Sequence, residues 1–152
     1  EDLEKQTREL QMQDHVRFIG EVDHSEVPDY YRAADIFVSA SDSESQGLTY
    51  IEALAAGRKV VAFAGEYTNS LLDDPAIGTT FTVQSELVHQ VVNYLKHPQA
   101  FDDPAPREVK LRAISADLFG DRVLKVYQDA TRRFQDEQTL RDEALDDSTL
   151  KG

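Results

Sequence analysis

Two carboxylates, Glu44 and Glu52, enclose seven residues, and Gly47 lies between them. A carboxylate accepts two hydrogen bonds side by side, which suits the neighbouring hydroxyls of a ribose or a hexose. Gly47 has no side chain, so a ligand can approach the backbone closely there. If a helix runs from Gly47 to Ala56, its opening N–H groups lack partners and carry partial positive charge. That suits an anion, and a diphosphate above all. Helical side chains lean toward the N-terminus, so Glu52, about one turn in, reaches back toward a ligand at the helix start. Glu44, in the loop ahead, reaches the other side, where a sugar would lie. Each feature alone has a plainer reading. A Glu early in a helix offsets the dipole, a Gly before a helix makes a turn, and Ser41 and Ser43 serve as loop or capping residues. Asp42-Ser43-Glu44 has a spacing that can hold Mg²⁺ with phosphates. Because Glu44 already has a role, no metal is expected. His15, His24, His89 and His97 are scattered without metal-ligand spacing, and Tyr30, Tyr31 and Phe37 read as packing residues.

The elements that must position these groups follow from pattern. Asp35–Ala40 and Lys59–Gly65 are short apolar runs of the kind that form buried strands. Val16–Gly20 and Gly78–Val83 read as two more. Residues 1–14 read as a polar helix, Val27–Ala34 as a short helix with Pro28 in its first turn, and Gly47–Ala56 as a helix with Gly57 at the left-handed C-terminal cap. Ser85 is expected to cap a helix reaching about His97, with Leu87, Val88, Val91, Val92 and Leu95 on one face. Strands alternating with helices imply a parallel α/β sheet with helices on both faces. Ligands of such sheets bind beyond the carboxyl ends of the strands, where Ser41–Gly47 falls. Residues 98–106 read as a linker, Arg107–Phe119 and Asp121–Gln135 as two helices, and 136–152 as an acidic, frayed tail. The domain is therefore expected to span 1–135.

Composition narrows the function classes. The chain has 152 residues, 40% of them hydrophobic, which is enough for one domain with a core. Its formal net charge is -13. Nucleic acids and anionic membrane surfaces attract basic patches, and none of size is present. Neither nucleic acid nor direct membrane contact is expected from this piece. The absence of Cys excludes disulfides and thiolate metal sites and fits a reducing compartment. No apolar run approaches the ~20 residues of a membrane span.

The spacing of Glu44, Gly47-Leu48 and Glu52-Ala53 resembles the E-x7-E signature of the retaining, B-type glycosyltransferases of family four. Val16-Arg17-Phe18-Ile19-Gly20, Tyr31-Arg32-Ala33-Ala34-Asp35-Ile36-Phe37-Val38 and Ala53–Ala62 resemble further stretches of that family, with Lys59 where Pro is usual. The resemblance covers about residues 15 to 95. Ser45-Gln46-Gly47-Leu48-Thr49-Tyr50-Ile51-Glu52 is most similar to bacterial diacylglycerol glucosyltransferases. The resemblance implies an N-terminally truncated, Rossmann-like C-terminal domain of a two-domain enzyme. Glu52 would bind the ribose, and Glu44 would act nearest the reacting carbon. The N–H groups of Gly47, Leu48 and Thr49 would hold the diphosphate, Gln46 would face the sugar, and Gly20 and the loop after it would lie near the base. The implied reaction moves a hexose from UDP-glucose to a lipid such as diacylglycerol, with no cofactor and no bridging metal. Alternatives are transfer to another cell-surface glycan and a non-catalytic sugar-nucleotide-binding module. Two strand–helix units, a Lys/Arg phosphate clamp and the acceptor domain of the same polypeptide are expected outside this chain. The open sheet edge is expected to favour self-association. The expected location is cytoplasmic, with the full-length protein peripheral at the inner face of the membrane.

Overall fold

After Lys59, the run Val60-Val61-Ala62-Phe63 contains no polar residue. A strand alternates its side chains between two faces, so such a run demands cover on both. In the computed structural model of the chain, Lys59–Phe63 forms β2, the middle strand of three, and Val60, Val61 and Ala62 are fully buried. The structure describes residues 2–43 and 47–149, with side chains to 138.

Its elements are α1 (Asp2–Glu9), α2 (Val27–Ala33), β1 (Ile36–Ser39), α3 (Leu48–Ala55), β2, α4 (Glu66–Leu71), β3 (Gly78–Phe81), α5 (Gln84–Lys96), a 3₁₀ turn (Pro98–Phe101), α6 (Ala105–Ala113) and α7 (Ala116–Thr149). The sheet order is β1-β2-β3, and both pairings are parallel. Ile36 lies opposite Lys59, and Phe63 opposite Phe81. On one face Val61 joins Phe81 and Tyr94, with Ile36, Phe63, Leu87, Val91 and Phe101 packed around them. Val60 and Ala62 point the other way by alternation, and α3, whose Tyr50, Ala53 and Leu54 are fully buried, packs on β2. The expected α/β parallel sheet flanked by helices is therefore present.

Several boundaries differ from expectation. Val16–Gly20 is not a strand: it has no ladder partner among the described residues, and Phe18 and Ile19 are exposed. An apolar run becomes a strand only when a neighbouring backbone can receive it. Ser85 does not cap α5; Val83 holds that position, and Glu86 Oε2 accepts from the Thr82 N–H (2.7 Å) and hydroxyl (2.9 Å) instead. The segment expected as a linker contributes to the core, since Phe101 packs edge-on to Tyr94 at 4.7 Å. The Lys59 ammonium donates to the Ala76 and Phe101 carbonyls, which ties the start of β2 to the 3₁₀ turn. Helix α4 has no counterpart in the sequence reading. Its Tyr-Thr-Asn-Ser stretch is weakly helix-forming, and tertiary bonds through Thr68 hold it.

The chain divides into two compact units, Glu1–Phe101 and Asp102–Gly152. In the second, the break between helices falls at Ile114-Ser115 and not at Gly120. Ser115 Oγ accepts from the Leu118 N–H at 3.3 Å, a cap that starts α7 there. Gly120 is then an interior residue, and the helix continues through the expected tail as far as Thr149.

Candidate functional site

Gly47 precedes α3 in the left-handed conformation, φ 62°. Two constraints select glycine here. Left-handed φ is strained for other residues, and a Cβ would lie 2.1 Å from Tyr67 Cε1. The Gly47 carbonyl accepts from Tyr50 and Ile51, at 3.1 Å each, and so closes the first turn. Leu48 and Thr49 open the helix and are exposed, so their N–H groups have no acceptor inside it. Glu44 and Gln46 lie outside the described residues, and Gly47, Leu48, Thr49 and Glu52 share the one helix start.

A cavity of about 380 Å³ opens at the carboxyl ends of β1 and β2, lined by Ser41, Asp42, Phe63–Gly65 and Glu66–Thr68. This is the position at which parallel sheets bind ligands. Its far wall, from Ala64 to Thr68, was not singled out in the sequence. Buried Thr68 shapes that wall: its hydroxyl donates to the Phe63 carbonyl at 2.8 Å and accepts from the Gly65 N–H at 2.9 Å. The near wall is fixed by Ser39, whose Oγ accepts from the Tyr50 hydroxyl (3.2 Å) and the Ser41 N–H (3.3 Å).

A second cavity, of about 290 Å³, lies between α2 and α3 and is lined by His24, Val27, Pro28, Tyr31, Arg32, Glu52, Ala55 and Ala56. Half-buried Glu52 is its carboxylate. Glu52 Oε2 accepts from the Tyr31 hydroxyl at 3.1 Å. Burial, then the hydrogen bond and charge of Glu52, push the Tyr31 phenol up to about 12. Arg32 is paired with Asp29 at the rim. His24 was read from sequence as a structural or surface residue; the structure puts it in this cavity. Gly20 is left-handed, φ 77°, and exposed, and it does not line the cavity, whereas the loop after it does through His24.

An aromatic row joins the two cavities beneath α3. Tyr67 stacks on Tyr50 at 6.5 Å, Tyr50 meets Phe37 edge-on at 6.0 Å, and Phe37 meets Tyr31 at 5.6 Å. Tyr31 and Phe37 are packing residues as expected, and Tyr31 is also a hydrogen-bond donor to the site. Arg58 donates to the Ala34 and Ala56 carbonyls, so it and Lys59 are engaged away from the start of α3. Among the described residues, no group of three or more acidic or His side chains could hold a metal. No described helix is long and apolar enough to cross a membrane.

Residues 1–105 match the family described as glycosyl transferases group 1. The alpha-monoglucosyldiacylglycerol synthase of Streptococcus pneumoniae is 41% identical over 129 residues, 85% of this chain and 29% of that protein. The enzyme of the same name from Acholeplasma laidlawii is 34% identical over 85 residues, 56% of this chain and 21% of that protein. A D-inositol 3-phosphate glycosyltransferase of Catenulispora acidiphila is 52% identical over 60 residues, 40% of this chain and 14% of that protein. The matched region thus spans less than a third of any of these relatives. With the family matched across most of its length, this chain belongs to the group 1 glycosyl transferases.

Proposed function

We propose that this chain is the donor-binding part of a retaining glycosyltransferase that moves glucose from UDP-glucose to a diacylglycerol-type lipid. The observation that carries the reading is the arrangement along α3. A cavity at the strand ends lies at one end of the aromatic row, and a cavity holding the anchored Glu52 carboxylate lies at the other. A nucleoside diphosphate sugar has the matching order of groups. Its ribose hydroxyls would meet Glu52, its diphosphate the N–H groups of Gly47, Leu48 and Thr49, and its sugar the strand-end cavity. Glu44 and Gln46 then serve the hexose, with Glu44 nearest the developing charge at the anomeric carbon. No metal is needed in this scheme. Identity to the pneumococcal synthase over 85% of the chain favours a lipid acceptor. The acceptor site belongs to parts of the polypeptide outside this chain. The protein would then work at the cytoplasmic face of the membrane.

The test is transfer of labelled glucose from UDP-glucose to diacylglycerol by the full-length protein, with inositol phosphate as the competing acceptor. Glu52→Ala should raise KM for the donor roughly ten- to a hundredfold, the loss of a charge-assisted hydrogen-bond pair. Glu44→Ala should chiefly lower kcat, because its contact tightens as charge develops. Wild-type kinetics in both variants, or transfer only to the soluble acceptor, would overturn the respective part of the reading.

A further inference from the structure

Among the described residues, Tyr31 is the one whose side chain is recorded as holding the Glu52 carboxylate. Three features make it a rigid support. It sits in the last turn of α2, a seven-residue helix with Pro28 at its start, which limits the backbone freedom of that turn. Its ring is fixed edge-on by Phe37, whose own ring is backed by Tyr50. Tyr50 is fully buried and bonded to Ser39 at the end of β1. The phenol hydroxyl is thus referenced to the sheet and not only to a surface helix. Glu52 lies partway along α3, and both side chains line the same cavity. A glutamate has three side-chain torsions. Left alone, it would spread its carboxylate over several rotamers, a cost that ligand binding would have to overcome.

We propose that Tyr31 is the positioning residue for donor recognition: its hydroxyl fixes one oxygen of Glu52 and so presents the carboxylate to a vicinal diol in the cavity between α2 and α3. The proposal rests on the reading of Glu52 as the ribose acceptor. The phenol is well suited to the task, because the carboxylate and burial keep it protonated, and therefore a donor, through the whole working pH range. A Lys or Arg in its place would hold Glu52 as firmly but would neutralise the charge that makes it a strong acceptor. The same support explains why α2 carries an aromatic at this position while its neighbour Tyr30 is exposed.

The experiment compares UDP with 2′,3′-dideoxy-UDP as ligands of the full-length protein, in the wild type, Tyr31→Phe and Glu52→Ala. Phenylalanine keeps the ring against Phe37 and removes only the hydroxyl. Tyr31→Phe should weaken UDP roughly five- to tenfold, the equivalent of one buried hydrogen bond. It should leave dideoxy-UDP unchanged and leave kcat at saturating UDP-glucose unchanged. Equal losses for both ligands would show a general structural role and overturn the proposal, as would an unchanged affinity for UDP. If the wild type itself fails to discriminate the two ligands and Glu52→Ala is without effect, the ribose reading of Glu52 falls and the proposal falls with it. Discrimination that is lost in Glu52→Ala but intact in Tyr31→Phe overturns the proposal alone. Phe37→Leu gives an independent arm, since it loosens the Tyr31 ring and leaves the hydroxyl. It should lower UDP affinity in the same direction by a smaller factor and again spare dideoxy-UDP.

Discussion

At the level of single residues, the tightest constraint is Gly47. Gly47→Ala forces a Cβ to 2.1 Å from the Tyr67 ring and places alanine in a left-handed conformation. The two costs together should lower stability by about 2–4 kcal/mol, read by chemical denaturation. The same substitution should blunt donor binding, because the start of α3 must tilt to make room. Gly47, Leu48, Thr49 and Glu52 were legible in the sequence because a turn residue, a helix start and a carboxylate one turn on are local facts. Tyr31 as the partner of Glu52 was not legible. The two residues are 21 positions apart, and only the packing of α2 against α3 brings them together. His24 escaped for the same reason, since nothing about its neighbours in sequence places it in a cavity. Thr68 lies in a stretch without apolar periodicity, and its role depends on the turn that it makes with Phe63 and Gly65.

At the level of elements, β1, β2, β3, α2, α3 and α5 were legible because their patterns are strong and their neighbours lie close in sequence. Val16–Gly20 shows the limit of that reading: apolar character and a terminal glycine specify a strand only where a ladder partner exists. Helix α7 shows another limit, because one side-chain cap at Ser115 outweighs an interior glycine. Helix α5 supplies a pH-dependent joint. Its buried Tyr94 donates to the Pro75 carbonyl at 2.9 Å, which anchors the loop ahead of β3. Burial, and secondarily the charge of Asp74, push the Tyr94 phenol up to about 12. A raised pKa favours the protonated phenol in the folded state, so this contribution is whole below about pH 10 and is lost as pH rises toward 12. Tyr31 titrates over the same window, so the full wild-type slope contains both tyrosines. Tyr94→Phe should therefore be less stable at neutral pH and show a shallower decline between pH 10 and 12, measured as urea midpoints across that range.

For the molecule as a whole, charge decides how well this chain alone can hold a donor. Its net charge is -13, and the strand-end cavity adds Asp42 and Glu66 to its lining. The helix start offers a diphosphate only about 0.3–1 kcal/mol, and Arg58 and Lys59 are engaged elsewhere. The chain of 152 residues should accordingly bind UDP-glucose with Kd about 1 mM or weaker. Ligand-observed NMR would check this, and micromolar binding would reveal a phosphate clamp within the chain. The division after Phe101 also has a chemical consequence. Lys59 holds the carbonyl of Phe101, the last residue of the first unit, together with that of Ala76. An amine engaged in this way can attack an acylating reagent only after the 3₁₀ turn lifts away. Lys59 should thus be acetylated far more slowly than exposed Lys5, and by mass spectrometry its rate becomes a clock for the opening of that unit's end. Urea too dilute to unfold the sheet should quicken the Lys59 clock and leave the Lys5 rate alone.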